Sequence, residues 1–83
     1  MIHMVLMIDD HAVVRLGLRA ILEEADPGVK VAEAGTAQEG LAWLHDNRAD
    51  TVILDIGLPD RNGLDVLKRI HQDWPRLPVL ILS

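Results

Sequence analysis

Three short, unbroken apolar runs each stop at an acid or a hydroxyl: MVLMI at Asp9-Asp10, TVIL at Asp55 and PVLIL at Ser83. Continuous runs of this length suit strands buried on both faces, as in a parallel sheet covered by helices above and below. Such a sheet collects the carboxyl ends of its strands along one edge, and ligands bind there at the point where the strand order reverses. Three carboxylates and a hydroxyl from distant stretches are thereby drawn toward one place.

The segments between the runs carry a helical period. Val14, Leu18, Ile21, Leu22 and Ala25 fall at i, i+4, i+7, i+8 and i+11, which predicts one apolar stripe, with Arg15 and Arg19 on the solvated face. Pro27-Gly28 ends that helix. Val29–Ala34 reads as a weaker strand, and its Lys30 and Glu33 suggest an edge position. Thr36 and Glu39 have the spacing of a capping box, opening a helix whose inner face is Ala37, Leu41 and Leu44 and which runs to about Asn47. Thr51–Leu54 is a short buried strand ending at Asp55. The turn formers from Gly57 to Gly63 follow, with Gly63 expected to supply a positive φ. Leu64, Leu67 and Ile70 define a third helix, stopped by Trp74-Pro75. Pro78 opens the last strand, Val79–Leu82.

The order is β-α-β-α-β-α-β, and right-handed crossovers make the sheet parallel with helices on both faces. If Asp9-Asp10 and Asp55 are to meet, the first and third strands must be neighbours. That selects the flavodoxin-like doubly wound order 2-1-3-4.

Bulk properties narrow the classes. The 83 residues make at most one small domain. With no cysteine, disulfides and thiolate metal sites are excluded. A net charge of −5 argues against nucleic-acid binding by this segment. No apolar run approaches the roughly 20 residues of a membrane span, and the apolar start lacks a basic leader, so a cytoplasmic protein with no membrane contact is expected. Trp43 and Trp74 are the only aromatics of their kind, so Val, Ile, Leu and Ala must build the core.

Asp10 and Asp55 offer oxygen ligands to one divalent ion, with Asp9 acting directly or through water. Mg²⁺ suits such a set, since it takes octahedral oxygens, keeps several waters and is commonly held by one or two carboxylates plus a phosphate. With the ion present, Asp55 could attack phosphorus as a nucleophile. Of the four histidines only His11 lies near the acidic pair, and none has a paired ligand spacing.

These residues resemble a known family. VLMIDDHAVVRLGLRAIL, VILDIGLPDRNGLDVLKRI and PVLILS look like the receiver domain of two-component response regulators. The DDH followed by a V-R-x-G-L run looks most like the NarL/FixJ class, with a LuxR-type DNA-binding output. The resemblance implies that Asp55 accepts a phosphoryl group from a sensor histidine kinase. It also implies that Asp9 and Asp10 form the acidic pair, that the Gly57 carbonyl joins them on Mg²⁺, and that Ser83 holds the switch position, hydrogen-bonding the phosphoryl group.

By the same resemblance, residues 1–83 are a partial receiver. A final helix-strand-helix portion bearing a lysine would be missing, as would the output domain through which DNA would be bound. The fourth strand would then be a bare apolar edge, open to homodimer formation or other self-association. Two other functions compete: a phosphorylation-independent dimerisation module, and a haloacid-dehalogenase-like phosphohydrolase. The second typically wants another acid two residues after the nucleophile, where this chain has Gly57.

Overall fold

The computed structural model describes residues 3–82, so Ser83 lies outside the described residues. Four strands, β1 (His3–Ile8), β2 (Val29–Ala34), β3 (Thr51–Asp55) and β4 (Val79–Leu82), alternate with α1 (Ala12–Ala25), α2 (Ala37–Asp46) and α3 (Gly63–Asp73). The strands form one parallel sheet in the order β2-β1-β3-β4, the flavodoxin-like arrangement expected from the chemistry.

Although the strand runs are continuous in apolar character, successive side chains point to opposite faces of the sheet. Leu6, Ile8, Val52 and Leu54 face one side, where Leu41 and Leu44 of α2 and Val66 and Ile70 of α3 close over them. Val5, Met7 and Ile53 face the other side and meet Leu18 and Leu22 of α1. The first layer is the thicker one, and most of the fully buried large side chains lie there. Each such residue contributes roughly 1.5–3 kcal/mol by leaving water.

The α1 helix departs from the expected stripe. Leu18 and Leu22 pack inward, but Val14, Ile21 and Ala25 are exposed, as are Val13 and Leu16. Arg15 and Arg19 are instead half-buried, so the inward face runs through positions 15, 18, 19 and 22, rotated from the apolar stripe. Glu33 on the edge strand β2 meets both arginines. Arg15 Nε lies 3.0 Å from one of its carboxylate oxygens and Arg19 Nη2 2.6 Å from the other. Arg19 Nη2 also donates to the Val31 carbonyl at 3.1 Å. Two guanidinium groups and one carboxylate thus line the contact of α1 with β2.

The α2 helix begins under tight control. Thr36 Oγ1 accepts from Glu39 N–H at 3.1 Å, as the capping box requires, while the Glu39 carboxylate reaches the N–H of Gly35 at 3.3 Å. The other two leading donors are taken by Asp60, from the loop after β3. Its Oδ1 accepts from Ala37 N–H at 2.9 Å and its Oδ2 from Gln38 N–H at 3.1 Å. One carboxylate therefore satisfies two of the unpaired donors at a helix start.

The bond from Ala37 N–H, more than any other influence, holds the Asp60 carboxyl below its ordinary value of 3.8, with Gln38 N–H and the Arg61 charge adding to it. A group whose folded value is depressed stabilises the fold above its ordinary value and loses that contribution as pH falls through the folded one. Asp60→Ala should therefore lower the urea midpoint at pH 7, and the gap between variant and parent should close as pH falls below 3.8. Urea unfolding followed by circular dichroism from pH 7 downward checks this. A gap independent of pH would remove the carboxylate from the explanation.

Gly63 does not have the expected positive φ, which no glycine among the described residues adopts. It is required for close approach. A Cβ there would run into the Cα and carbonyl of Ile56, whose oxygen accepts from Gly63 N–H at 3.1 Å. At the sheet's far side, β4 bonds to β3 and to no second strand among the described residues, leaving Leu80 and Ile81 exposed.

Candidate functional site

Strand register builds the site. Ile8 stands opposite Leu54 across the β1–β3 ladder, so the residues that follow, Asp9 and Asp55, emerge side by side. The chain leaves β1 toward β2 on one side, while β3 lies on the other, which places both acids at the reversal point of the sheet. A cleft of about 340 Å³ opens there, lined by Asp9, His11, Val14, Asp55 and Leu82.

Asp9 is the buried member at 3% exposure. Its N–H extends the ladder to the Ala34 carbonyl at 3.0 Å, which fixes its backbone. Its Oδ1 accepts from the backbone N–H of His11 at 2.7 Å, the tight local turn that aspartate favours, and lies 2.9 Å from the His11 ring Nδ1. Arg15 Nη1 donates to the Asp9 carbonyl. Asp10 is more open, with its Oδ1 3.1 Å from the same Nδ1. Asp55 is largely covered. Its Oδ1 accepts from Gly57 N–H at 3.0 Å, and its Oδ2 lies 3.4 Å from His11 Nδ1.

The structure thus brings Asp9, Asp10 and Asp55 together, with ligand atoms from these three and His11 all within 4.8 Å of one another. Oxygen donors at this spacing, opening on a cleft, fit a hard divalent cation. Gly57 meets the group through its N–H, and the carbonyl role expected of it rests on the resemblance alone. Leu58 is buried and Pro59 exposed, in keeping with structural roles in the loop.

The ring of His11 is the feature that sequence reading undervalued. It titrates above the usual histidine value of 6.5, first because its hydrogen bond to Asp9 favours the charged form and then because the negative charge of Asp10 does the same, with smaller contributions from the charges of Asp9 and Asp55. The available signal was its place two residues after Asp9, where an aspartate-centred turn folds the side chain back over the carboxylate. Spacing rules for histidine pairs do not detect this. Asp60, which tethers the loop after β3 to α2, was legible only as a turn former.

No helix among the described residues is long and apolar enough to cross a membrane. Residues 5–83 match the response regulator receiver domain family. The chain is 39% identical over 79 residues to the transcriptional activator protein ExaE of Pseudomonas putida, covering 95% of this chain and 37% of that protein. Identity is also 39% over 79 residues to the KDP operon transcriptional regulatory protein KdpE of Escherichia coli K12, with 95% and 34% covered. The chain therefore spans about a third of the length of these curated relatives.

Among solved structures, a CheY-like response regulator receiver domain protein from Methanospirillum hungatei JF-1 superposes with a TM-score of 0.89 at 30% identity, covering 98% of this chain and 63% of that one. A LuxR family DNA-binding response regulator from Silicibacter pomeroyi gives 0.82 at 34% identity, with 95% and 62% covered. Fold, strand order and sequence agree: the chain belongs to the response regulator receiver domain family.

Proposed function

We propose that the chain is the phosphoacceptor part of a two-component transcription regulator, taking a phosphoryl group on Asp55 from the phosphohistidine of a sensor kinase. Asp9, Asp10 and Asp55, with the Gly57 carbonyl, would hold Mg²⁺, and Ser83 would donate its hydroxyl to the product. In this reading residues 1–83 serve a DNA-binding output, of the kind that the LuxR family regulator's name describes for that protein. The NarL/FixJ class is the finer form of the same proposal. The observation that carries it is the side-by-side emergence of Asp9 and Asp55 from β1 and β3 at one cleft.

The step is a displacement at phosphorus. An Asp55 oxygen forms the new P–O bond as the P–N bond to the kinase histidine breaks, and the released imidazole keeps the electron pair. Gly57 N–H holds Asp55 Oδ1, which restrains the carboxylate's rotation and leaves Oδ2 on the His11 side. The partial burial of Asp55 limits water at the nucleophile. Bound Mg²⁺ supplies charge neutralisation for the phosphoryl oxygens.

Incubation with Mg²⁺ and acetyl phosphate, followed by intact mass, tests the proposal. One stable phosphoryl adduct that disappears when Mg²⁺ is chelated supports it. Repeated turnover with free phosphate supports a hydrolase, and a folded chain with no adduct supports the dimerisation module. Asp10→Ala should weaken Mg²⁺ by about 10- to 100-fold with the fold retained, as losses of metal-site groups do. Calorimetry showing unchanged Mg²⁺ affinity would remove Asp10 from the ion.

A further inference from the structure

We infer that His11 is a fourth metal-binding side chain, supplying Nδ1 to the cation held by the three aspartates and tuning the site toward borderline ions such as Co²⁺ over Mg²⁺. The inference rests on the reading of the acidic group as a cation site.

The geometry is that of neighbouring ligands. Around an octahedral ion with bonds of about 2.1 Å, adjacent donor atoms lie about 3 Å apart. His11 Nδ1 lies 2.9, 3.1 and 3.4 Å from one oxygen each of Asp9, Asp10 and Asp55. All four donors fall within 4.8 Å of one another, so a contraction of about half an ångström brings the widest pair to the roughly 4.2 Å that separates trans ligands.

The ring is not held there by the helix it precedes. His11 is the N-cap of α1, yet its side chain makes no capping bond. A Ser, Thr, Asp or Asn at that position would turn onto the first helical N–H groups. This one turns the other way, onto the carboxylates, although 61% of its surface remains exposed. Its backbone N–H is anchored on Asp9 Oδ1, so the ring's starting point is fixed to the most buried carboxylate.

Coordination needs the Nδ1 lone pair. The hydrogen that Nδ1 shares with Asp9 passes to solvent or to Nε2, and the imidazole binds as the Nε2–H form. Carboxylate oxygens alone suit Mg²⁺, whereas adding an imidazole nitrogen favours ions further along the first transition row. His11 thereby becomes a determinant of which ion the site selects. The competing possibility is that the ring stands in the ion's own place as a built-in positive charge. Removing it would then strengthen every divalent ion alike.

Calorimetry on the 83-residue chain with Mg²⁺ and with Co²⁺, together with Co²⁺ displacement of bound Mg²⁺, separates these outcomes. Co²⁺ should bind at least about tenfold more tightly than Mg²⁺, and His11→Ala should weaken Co²⁺ by about tenfold and close most of that gap. Electron spin echo modulation from ¹⁴N should accompany Mn²⁺ bound to the parent and vanish in His11→Ala. Because the His11 side chain makes no capping bond, alanine leaves the start of α1 intact.

Tighter binding of both ions by His11→Ala would overturn the inference in favour of a displaced positive charge. Unchanged affinities without nitrogen modulation in the parent would overturn it in favour of a bystander ring. Failure of the Mg²⁺ reading shows separately, as a parent whose Mg²⁺ affinity is absent or indifferent to Asp10→Ala.

Discussion

Asp55→Asn should abolish the phosphoryl adduct that the proposed function expects the parent chain to acquire from acetyl phosphate and Mg²⁺, with intact mass as the readout. Asparagine keeps the shape of the side chain and an oxygen able to accept from Gly57 N–H, so the loop after β3 retains its local bond. What it loses is the proposed nucleophile, since an amide oxygen does not displace at phosphorus as a carboxylate does. The variant also removes one of three like charges crowded within a few ångströms, so thermal stability should not fall. An adduct of parent yield in Asp55→Asn would move the acceptor to another carboxylate. An unfolded variant would show at once in circular dichroism.

Gly63→Ala should be the most damaging small substitution in the chain. The added methyl meets the Ile56 backbone, which cannot rotate aside as a flexible side chain would, so α3 must shift or the loop must deform. Overpacking of this kind costs about 1–3 kcal/mol, and the upper end is expected against backbone. For a domain of this size that is a fall of roughly 10–20 °C in Tm. Gly17→Ala is the matched control, because a Cβ at Gly17 meets nothing within 4 Å on an exposed turn of α1. There alanine should stabilise by up to about 1 kcal/mol through helix propensity. Scanning calorimetry of the two variants should give shifts of opposite sign, and a Gly63→Ala chain as stable as the parent would disprove the close approach.

The sheet and the acidic core of the site were legible because both follow from period and register. Once MVLMI and TVIL are adjacent parallel strands, the acids that end them must neighbour one another. The start of α2 was legible in the Thr36–Glu39 spacing. Interactions between side chains distant in sequence were not. Nothing in the α1 period reveals that Arg15 and Arg19 pair with Glu33 at the sheet edge while Val14 and Ile21 face outward. The need for glycine at position 63 comes from the path of Ile56, and turn statistics suggested a positive φ instead. The His11 ring depends on the local turn at Asp9, which no periodic pattern encodes.

The double bond of Asp60 to Ala37 and Gln38 gives the peptide between β3 and α3 a mechanical hold on a different helix. Asp55 immediately precedes that peptide. Any rearrangement there that carries Asp60 along must either drag the leading turn of α2 with it or strip two amides of their acceptor, so the two regions move as one piece or part at a measurable expense.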